Sequence, residues 1–318
     1  MEYRPLGTTG LEVSVIGLGC NHLGSQGPGR TRADMIRLLE CAADRGVTFY
    51  DTADVYMEGE SERLLGEVFG RRGRRVVVAT KVGLRRTVPH GLAARVRPFV
   101  QAVTRRAPGL RRVLTRARHI FTGQDYSADY LRRAVEGSLK RLQADTIDLL
   151  QLHSPPASVI QRDDAFETLD SLRSQGKIRF YGVSFGSWRE AAPRPEQEGL
   201  STLQIPISLV DEAVIDSLMR WARNRGVGII GNQPFKKGRL LGADVHARLG
   251  SLLHDGKRSL AQAMLRFVAQ LDGVSTVITG TSSIAHLGEN IEALDSPPLS
   301  AEEIERLRAP GWALESEP

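Results

Sequence analysis

The stretch VTFYDTADVY, residues 47–56, joins an apolar run to a polar loop. Its β-branched and aromatic beginning predicts a buried strand, which becomes polar at Asp51 and is followed in the next loop by Tyr56. A carboxylate at the end of a buried strand costs free energy unless a cation or a hydrogen-bond donor meets it. Taken alone, the stretch favours an ordinary strand-to-helix turn in which Asp51 caps the helix and Tyr56 fills a gap.

Apolar runs of the same kind recur along the chain, with amphipathic segments between them. Strands are expected at 13–20, 47–50, 76–81, 146–153, 178–185, 202–208, 227–230 and 274–279. Helices are expected at 31–45, 60–70, 127–142, 160–175, 188–192, 211–225, 258–270, 283–293 and 301–308, with Thr31 and Ser127 as N-caps.

This alternation predicts the fold class. Near-continuous apolar strands separated by helices indicate a parallel sheet. Eight such units without a linker indicate an α/β fold of one domain, a closed (β/α)8 TIM barrel over 1–318. Turn-rich residues 1–12 predict an N-terminal β-hairpin. The alternative, an open doubly wound sheet, is disfavoured because Gly17-Leu18-Gly19 is followed by no third glycine at the spacing of a dinucleotide-binding turn.

The composition, 41% hydrophobic and 25% charged, is that of a globular protein. No apolar run is long enough to cross a membrane, and the N-terminus lacks the apolar core of a signal peptide. Cys20 and Cys41 fit no metal or disulfide spacing. We therefore expect a cytoplasmic protein with no metal and no membrane partner; its oligomeric state stays open.

Positive charge is concentrated in one insertion, residues 84–121, after the third strand. Ten arginines and no acidic residue lie between Lys81 and Asp125, and without these ten the net charge of +6 becomes −4. The insertion fits either a solvated flap or a lid that recognises an anionic substrate. Nucleic acid is disfavoured because Phe99 and Phe121 are the only aromatic residues of the insertion.

Four polar side chains are expected to meet at one rim of the barrel, where the C-terminal strand ends lie. Asp51, Lys81 and His153 end the second, third and fourth strands, and Tyr56 lies in the loop after the second. A nearby ammonium should lower the pKa of the tyrosine by about 1–3 units. The set suits protonation of a carbonyl oxygen by Tyr56, with His153 orienting that oxygen. A hydride donor must come from elsewhere.

Motifs along nearly the whole chain resemble the aldo-keto reductase family. They are Leu6-Gly7 with Gly10-Leu11 and Ile16-Gly17-Leu18-Gly19, Asp51-Thr52-Ala53 with Tyr56, Ala79-Thr80-Lys81, Ile147-Asp148-Leu149-Leu150 with His153, Gly182-Val183-Ser184, and Gly280-Thr281 with Glu289-Asn290. The resemblance implies a (β/α)8 barrel that binds NADPH, with NADH as the alternative, and reduces an aldehyde or ketone. It makes Tyr56 the general acid, Lys81 the group that tunes it, Asp51 the partner of Lys81, and His153 the residue that positions the carbonyl.

The same resemblance implies residues that bind the cofactor. On the nicotinamide side they are Gly19, Cys20, Ser184, Phe185 and Gln204. The pyrophosphate is expected on a strap formed by Asn232, Pro234, Phe235, Lys237, Gly238, Arg239 and Leu240, and the adenosine end on Gly280, Ser282, His286, Glu289 and Asn290.

Three positions depart from the family's pattern. Phe185 stands where the family usually has asparagine, Ile207 where it usually has an aromatic residue that stacks on the nicotinamide, and Met57 where a glycine follows the tyrosine. We expect the first two departures to weaken nicotinamide binding or to change how the nicotinamide is seated. The ring of Phe185 is expected to compensate for part of this loss.

Three functions therefore stay open at the level of the sequence. The first is an NADPH-dependent reductase of a small, possibly anionic, carbonyl compound. The second is a cofactor-binding regulatory or partner-binding protein on the same fold, with little redox activity. The third is an enzyme whose tyrosine moves protons without net redox chemistry. The intact set of Asp51, Tyr56, Lys81 and His153 favours the reductase.

Overall fold

The computed structural model describes residues 1–23, 31–70, 76–86, 122–187, 190–191, 196–210, 215–242, 245 and 258–308. The strands are β1 (Tyr3–Pro5), β2 (Glu12–Ser14), β3 (Ile16–Gly19), β4 (Phe49–Asp51), β5 (Val77–Val82), β6 (Leu84–Arg86), β7 (Thr122–Gln124), β8 (Ile147–His153), β9 (Ile178–Ser184), β10 (Leu200–Pro206), β11 (Gly228–Asn232) and β12 (Val274–Gly280). The helices are α1 (Arg32–Asp44), α2 (Glu60–Phe69), α3 (Ala128–Leu142), α4 (Ala157–Ile160), α5 (Asp164–Ser174), α6 (Ile215–Asn224), α7 (Leu260–Ala269), α8 (Ile284–Glu292) and α9 (Ala301–Arg308).

Eight of the strands in the described ranges close into a barrel. Their order is β3-β4-β5-β8-β9-β10-β11-β12, with β12 next to β3, and each neighbouring pair is parallel. Successive barrel strands are therefore neighbours in space, with helices between them along the chain. This confirms the predicted (β/α)8 barrel. No helix in the described ranges is long and apolar enough to cross a membrane.

The N-terminal hairpin is also confirmed, but the expected strand at 13–20 divides at Val15. Its first part is β2, which pairs antiparallel with β1, and its second part is β3, which enters the barrel. The Ser14 hydroxyl donates to the Ile16 carbonyl at 2.7 Å, and the Thr276 hydroxyl donates to the Ser14 carbonyl at 2.8 Å. One apolar run thus serves two sheets, a division that hydrophobicity alone does not reveal.

The barrel interior has an apolar floor below a polar layer. The floor is a buried cluster formed by Leu6, Leu11, Val13, Phe49, Val77, Ala79, Leu149, Ile230 and Ile278, so it includes residues of the hairpin. Side chains alternate between the two faces of a strand. Asp51, Lys81 and Gln151 lie two residues after floor residues on β4, β5 and β8, and therefore also point into the barrel.

The helices follow the expected pattern with local differences. The hydroxyls of Thr31 and Ser127 accept from backbone amides of α1 and α3, as predicted for N-caps. The expected helix at 160–175 is instead two, because α4 ends at Ile160 and α5 begins at Asp164. The short helix expected at 188–192 lies partly outside the described residues, and 190–191 form a turn.

The expected basic insertion, residues 84–121, begins with one strand of a two-stranded ribbon and is followed directly by the other strand. β6 pairs antiparallel with β7, with Leu84 opposite Gln124 and Arg86 opposite Thr122. Residues 87–121, which carry most of the predicted insertion, lie outside the described residues. The ribbon therefore joins barrel strand β5 to helix α3.

Candidate active site

A buried ion pair lies in the upper interior of the barrel. Lys81 Nζ donates to Asp51 Oδ1 at 2.6 Å and to the Thr52 carbonyl at 2.9 Å. The Lys81 residue is 1% exposed and Asp51 is 5% exposed. Strands β4 and β5 are parallel neighbours, with Asp51 opposite Ala79, which brings both side chains to the same end of the barrel. Two charges at this depth are tolerable because each neutralises the other.

Tyr56 lies beside this pair at the start of a left-handed turn. It opens a short 3-10 turn, Tyr56–Gly59, and its backbone N–H donates to the Ala53 carbonyl at 3.0 Å. The three residues after it have φ values of 48°, 64° and 80°. The Lys81 ammonium is 5.1 Å from the centroid of the tyrosine ring. The turn thus holds the phenol next to the cation.

His153, the last residue of β8, faces Tyr56 across the rim. The ring centroids are 5.8 Å apart and the planes meet edge-on at 83°. The Nδ1 atom of His153 is buried and has no hydrogen-bond partner among the described residues. The structure therefore brings together Asp51, Tyr56, Lys81 and His153, the set expected from the sequence.

Burial sets the protonation of the two rings. Burial raises the pKa of Tyr56 above its ordinary value, while the Lys81 charge acts in the opposite direction. The expected net lowering of the Tyr56 pKa is therefore wrong: the lysine acts as predicted, but loss of solvation is the larger effect. Burial, with a contribution from Lys81, lowers the pKa of His153 to about 3. The tyrosine is thus a protonated phenol and the histidine a neutral imidazole near pH 7.

The ion pair keeps its charges through mutual attraction. Burial opposes the charge on Lys81, but Asp51 and then Tyr56 raise the pKa of Lys81 above its ordinary value. Burial raises the pKa of Asp51, and the Lys81 ammonium opposes that rise. Lys81 is therefore an ammonium ion inside the barrel, and the tyrosine next to it has a permanent positive neighbour.

Gln151 is a further polar residue of the site that is not among those expected from the sequence. Its Nε2 atom donates to Gln204 Oε1 at 3.2 Å, and the Gln204 side chain also hydrogen-bonds Asp51. Both glutamines are almost fully buried. The signal was present, because Gln151 lies two residues before His153 on the same strand and must share its face. Gln204, expected to bind a nicotinamide carboxamide, also connects β8 and β10 to the ion pair.

The strand ends around this set have features that fit a dinucleotide. Gly19 pairs with Gly280 and with Asp51, so two glycines lie side by side at the strand ends. Cys20 is buried and its N–H donates to the Asp51 carbonyl at 2.8 Å. At the end of β11, the buried Oδ1 atom of Asn232 has no partner among the described residues. That oxygen is an acceptor for a donor supplied by a ligand.

Basic side chains and a helix N-terminus lie on the same side of the barrel. The expected strap contains the 3-10 turn Lys236–Leu241, in which Lys237 and Arg239 are exposed and Leu240 is buried. α8 begins after Gly280, with the Ser283 hydroxyl accepting from the His286 amide. Helix N-termini and cations both suit phosphate groups.

The other expected cofactor residues follow these elements. Ser184 is buried at the end of β9, Pro234 and Phe235 precede the turn Lys236–Leu241, Ser282 is half-buried, His286 is exposed, Glu289 is half-buried and Asn290 is buried. Their positions on β9, on the segment after β11 and on α8 are consistent with an extended ligand. The donor set therefore fits the cofactor that the sequence implies.

Phe185 and Ile207 do not line this rim. Both belong to the outer core cluster, with 1% and 0% of their surface exposed. The Phe185 N–H donates to the Gln204 carbonyl at 2.9 Å, so its backbone continues the ladder while its ring is enclosed. Neither side chain therefore offers a face for stacking, and the expected compensation by Phe185 has no geometric support. No group of three His, Cys, Asp or Glu side chains that could hold a metal was found in the part of the chain that the structure describes.

Comparison with known proteins gives one consistent relationship. The model of the Aldo/keto reductase family matches residues 15–310. Pyridoxal 4-dehydrogenase of Microbacterium luteolum is 29% identical over 320 residues, covering 91% of this chain and 92% of that protein.

Solved structures agree with that match. An aldo-keto reductase from Bacillus halodurans, in its holo form, aligns with a TM-score of 0.76 at 27% identity, covering 97% of this chain and 95% of that one. An aldo/keto reductase from Klebsiella pneumoniae, solved with NADP and acetate, aligns with a TM-score of 0.72 at 24% identity and covers 96% and 95% of the two chains.

Proposed function

This chain belongs to the aldo/keto reductase family of oxidoreductases, and on that premise we propose that it reduces an aldehyde or ketone to an alcohol with NADPH as the preferred cofactor. One observation carries the proposal. The Lys81 ammonium lies between the Asp51 carboxylate, at 2.6 Å, and the Tyr56 ring, at 5.1 Å. A buried cation beside a phenol stabilises the phenolate that forms when the phenol transfers its proton to a carbonyl oxygen.

Each of the four side chains has one task in the proposed reaction. When bound, the nicotinamide supplies a hydride to the carbonyl carbon. The Tyr56 hydroxyl transfers its proton to the carbonyl oxygen, which completes the alcohol and leaves a phenolate. The Lys81 ammonium stabilises that phenolate, and Asp51 holds the ammonium in place. Neutral His153 donates a hydrogen bond that orients the carbonyl oxygen.

The residues that would hold the cofactor are those already described at the rim. Ser184 and Asn232 offer side-chain hydrogen bonds at the ends of β9 and β11, and Gln204 lies on β10 between these two strands. Lys237 and Arg239 supply positive charge for the pyrophosphate. The preference for NADPH over NADH rests on the family resemblance, with Ser282 and His286 near the expected 2′-phosphate. We expect a higher kcat/KM for NADPH than for NADH; equal values would remove the preference.

The test is cofactor oxidation, followed by absorbance with a panel of aldehydes and ketones. We compare the wild type with Tyr56→Phe and with Tyr3→Phe, a matched loss of a hydroxyl in the hairpin, where Tyr3 donates to the Gly46 carbonyl. A general acid contributes about 10²–10⁴ in rate. We therefore expect Tyr56→Phe to lose turnover to that extent while its NADPH dissociation constant, measured by fluorescence, stays unchanged. Equal turnover in all three proteins would refute the assignment.

The regulatory alternative makes a different prediction for the same assay. It requires tight NADPH binding without turnover of any carbonyl compound by the wild type. Because Phe185 and Ile207 are buried, neither of these two side chains stabilises the nicotinamide by stacking. The assembled set of Asp51, Tyr56, Lys81 and His153 favours the enzyme, because a cofactor sensor has no need for a buried cation beside a phenol.

We also propose that the substrate is anionic, as expected from the basic insertion. The support is the ten arginines without an acid between Lys81 and Asp125. The described β6–β7 ribbon at the base of this segment follows β5 directly, so it starts at the same end of the barrel as Lys81. Attraction to exposed charges is screened by salt. We expect KM for 4-carboxybenzaldehyde to rise with salt and KM for neutral 4-nitrobenzaldehyde to stay constant; parallel changes would refute an anionic preference.

A further inference from the structure

The end of β8, which carries His153, is fastened by side chains from outside the barrel. The Tyr126 hydroxyl donates to the His153 carbonyl at 2.7 Å. Gln124 Nε2 donates to the next carbonyl, that of Ser154, at 2.9 Å. Gln124 ends β7, and Tyr126 follows it by two residues. Two successive carbonyls are therefore held from one ribbon.

The backbone at this point needs such support. Ser154 has a φ of 51°, a left-handed conformation that is strained for a residue other than glycine. Its N–H donates to the Ser184 carbonyl at 2.7 Å, so the barrel holds it from one side. Gln124 of the ribbon holds Ser154 from the other side, through the Ser154 carbonyl. The His153 carbonyl is consequently fixed in direction.

The ring of Tyr126 is itself held in place. A Cβ atom added to Gly83 would lie 2.2 Å from Tyr126 Cε1, so the ring packs directly against the Gly83 backbone. Gly83 has a φ of 113°, and its carbonyl accepts from the Asp125 N–H at 2.9 Å. Burial raises the pKa of the Tyr126 hydroxyl well above its ordinary value. That hydroxyl therefore stays protonated and remains a donor.

The imidazole depends on this backbone. His153 Nδ1 is buried with no hydrogen-bond partner in the described ranges. No side-chain hydrogen bond at that atom fixes the ring, so its direction follows from packing and from the backbone at the end of β8. We propose that Tyr126 is a positioning residue for His153, and that Gln124 supports it by holding the Ser154 carbonyl. The hydroxyl-to-carbonyl bond keeps the imidazole edge-on to Tyr56.

This inference rests on the proposed reductase activity for its kinetic consequence, but not for its structural one. Tyr126→Phe removes the hydroxyl and keeps the ring on Gly83. Tyr130→Phe is the matched control, because the Tyr130 hydroxyl donates to the Leu84 carbonyl at 2.9 Å on the same ribbon. Gln124→Leu is a second variant that loosens the neighbouring carbonyl. Thermal melting establishes that each protein is folded.

The first readout is the histidine ring signals in the NMR spectrum of the protein, recorded with and without NADPH. The His153 signal is assigned by its loss in His153→Gln, among the seven histidines of the chain. We expect this signal to move in Tyr126→Phe, to move less in Gln124→Leu, and to stay in place in Tyr130→Phe. An unmoved signal in Tyr126→Phe overturns the proposal, and so does an equal movement in both tyrosine variants.

The second readout is the reduction of a reactive aldehyde. Small misplacements of a positioning group cost up to about 100-fold in rate. We expect Tyr126→Phe to lose about tenfold in kcat/KM for the aldehyde, with the NADPH dissociation constant unchanged and Tyr130→Phe active as the wild type. A wild type that turns over no carbonyl compound refutes the proposed function alone, because the NMR signals still test the positioning of His153.

Discussion

Lys81 and Asp51 form a 2.6 Å ion pair that the barrel encloses almost completely. A buried pair of this kind balances a large desolvation cost against mutual attraction, and removing one partner leaves the other charge without compensation. The stability of the fold and the proposed chemistry therefore both depend on the contact between Lys81 Nζ and Asp51 Oδ1.

We expect Asp51→Asn to lower the free energy of unfolding by about 3–5 kcal/mol, because it leaves the Lys81 ammonium buried without its carboxylate. The measurement is urea denaturation. The double variant Asp51→Asn/Lys81→Met removes both charges and should recover part of that loss, while turnover stays abolished. Additive destabilisation in the double variant would show that the two charges do not depend on each other.

Acid should destabilise the fold through His153. The pKa of His153 is about 3 in the folded protein, against an ordinary value of 6.5. The unfolded chain therefore binds more protons between these values, and the free energy of unfolding falls as pH falls from 6.5 towards 3. His153→Gln should flatten this part of the stability curve, measured by chemical denaturation without cofactor. His286→Gln, which removes an exposed histidine, should leave it unchanged; identical curves for all proteins would contradict the prediction.

Asp54 should act in the opposite direction. Burial, and then Glu62, raise the pKa of Asp54 to about 7 from an ordinary 3.8, and its Oδ1 atom has no partner among the described residues. The folded state binds more protons between these values, so stability falls as pH rises from 3.8 through 7. Asp54→Asn should gain stability relative to the wild type, more at about pH 8 than at about pH 4. Asp129→Asn on α3 is the control. A gain that does not depend on pH would show that Asp54 does not titrate in this range.

The left-handed turn after Tyr56 gives a fourth prediction. Met57 has φ 48° and ψ 35°, which costs a non-glycine residue about 1–2 kcal/mol. Met57→Gly removes that strain but adds conformational freedom to the unfolded chain. We expect a change in the free energy of unfolding between zero and a gain of about 1 kcal/mol. Met57→Val should lose stability and turnover, because a β-branched residue resists this conformation. Thermal melting and the aldehyde assay measure both, and a more stable valine variant would contradict the account.

Much of the barrel could be predicted because polar side chains come directly after the apolar runs that form its strands. Asp51 and His153 are the last residues of β4 and β8, and each follows an apolar run. Parallel topology then places them on one rim without further information. Strand ends are thus visible in the hydrophobic pattern itself.

The depth of each group could not be predicted in the same way. Lys81 was correctly expected to favour the phenolate of Tyr56, but the net pKa shift depends on how closely neighbouring strands enclose the ring. The sequence also does not reveal whether the side chain of Phe185 lies on the inner or the outer face of the barrel. A shift of one residue at a strand end exchanges the inner and outer faces, and hydrophobicity does not distinguish an outer core from a cofactor pocket.

The pairing of β6 with β7 has a consequence for how such a molecule can change over evolutionary time. Arg86 lies opposite Thr122, so the described residues on either side of the segment 87–121 are neighbours. Lengthening a loop whose ends are already joined costs only about 0.6 kcal/mol for each doubling of its length. A change in the length of the segment between Arg86 and Thr122 therefore costs little closure entropy, because the β6–β7 pairing already brings these two residues together.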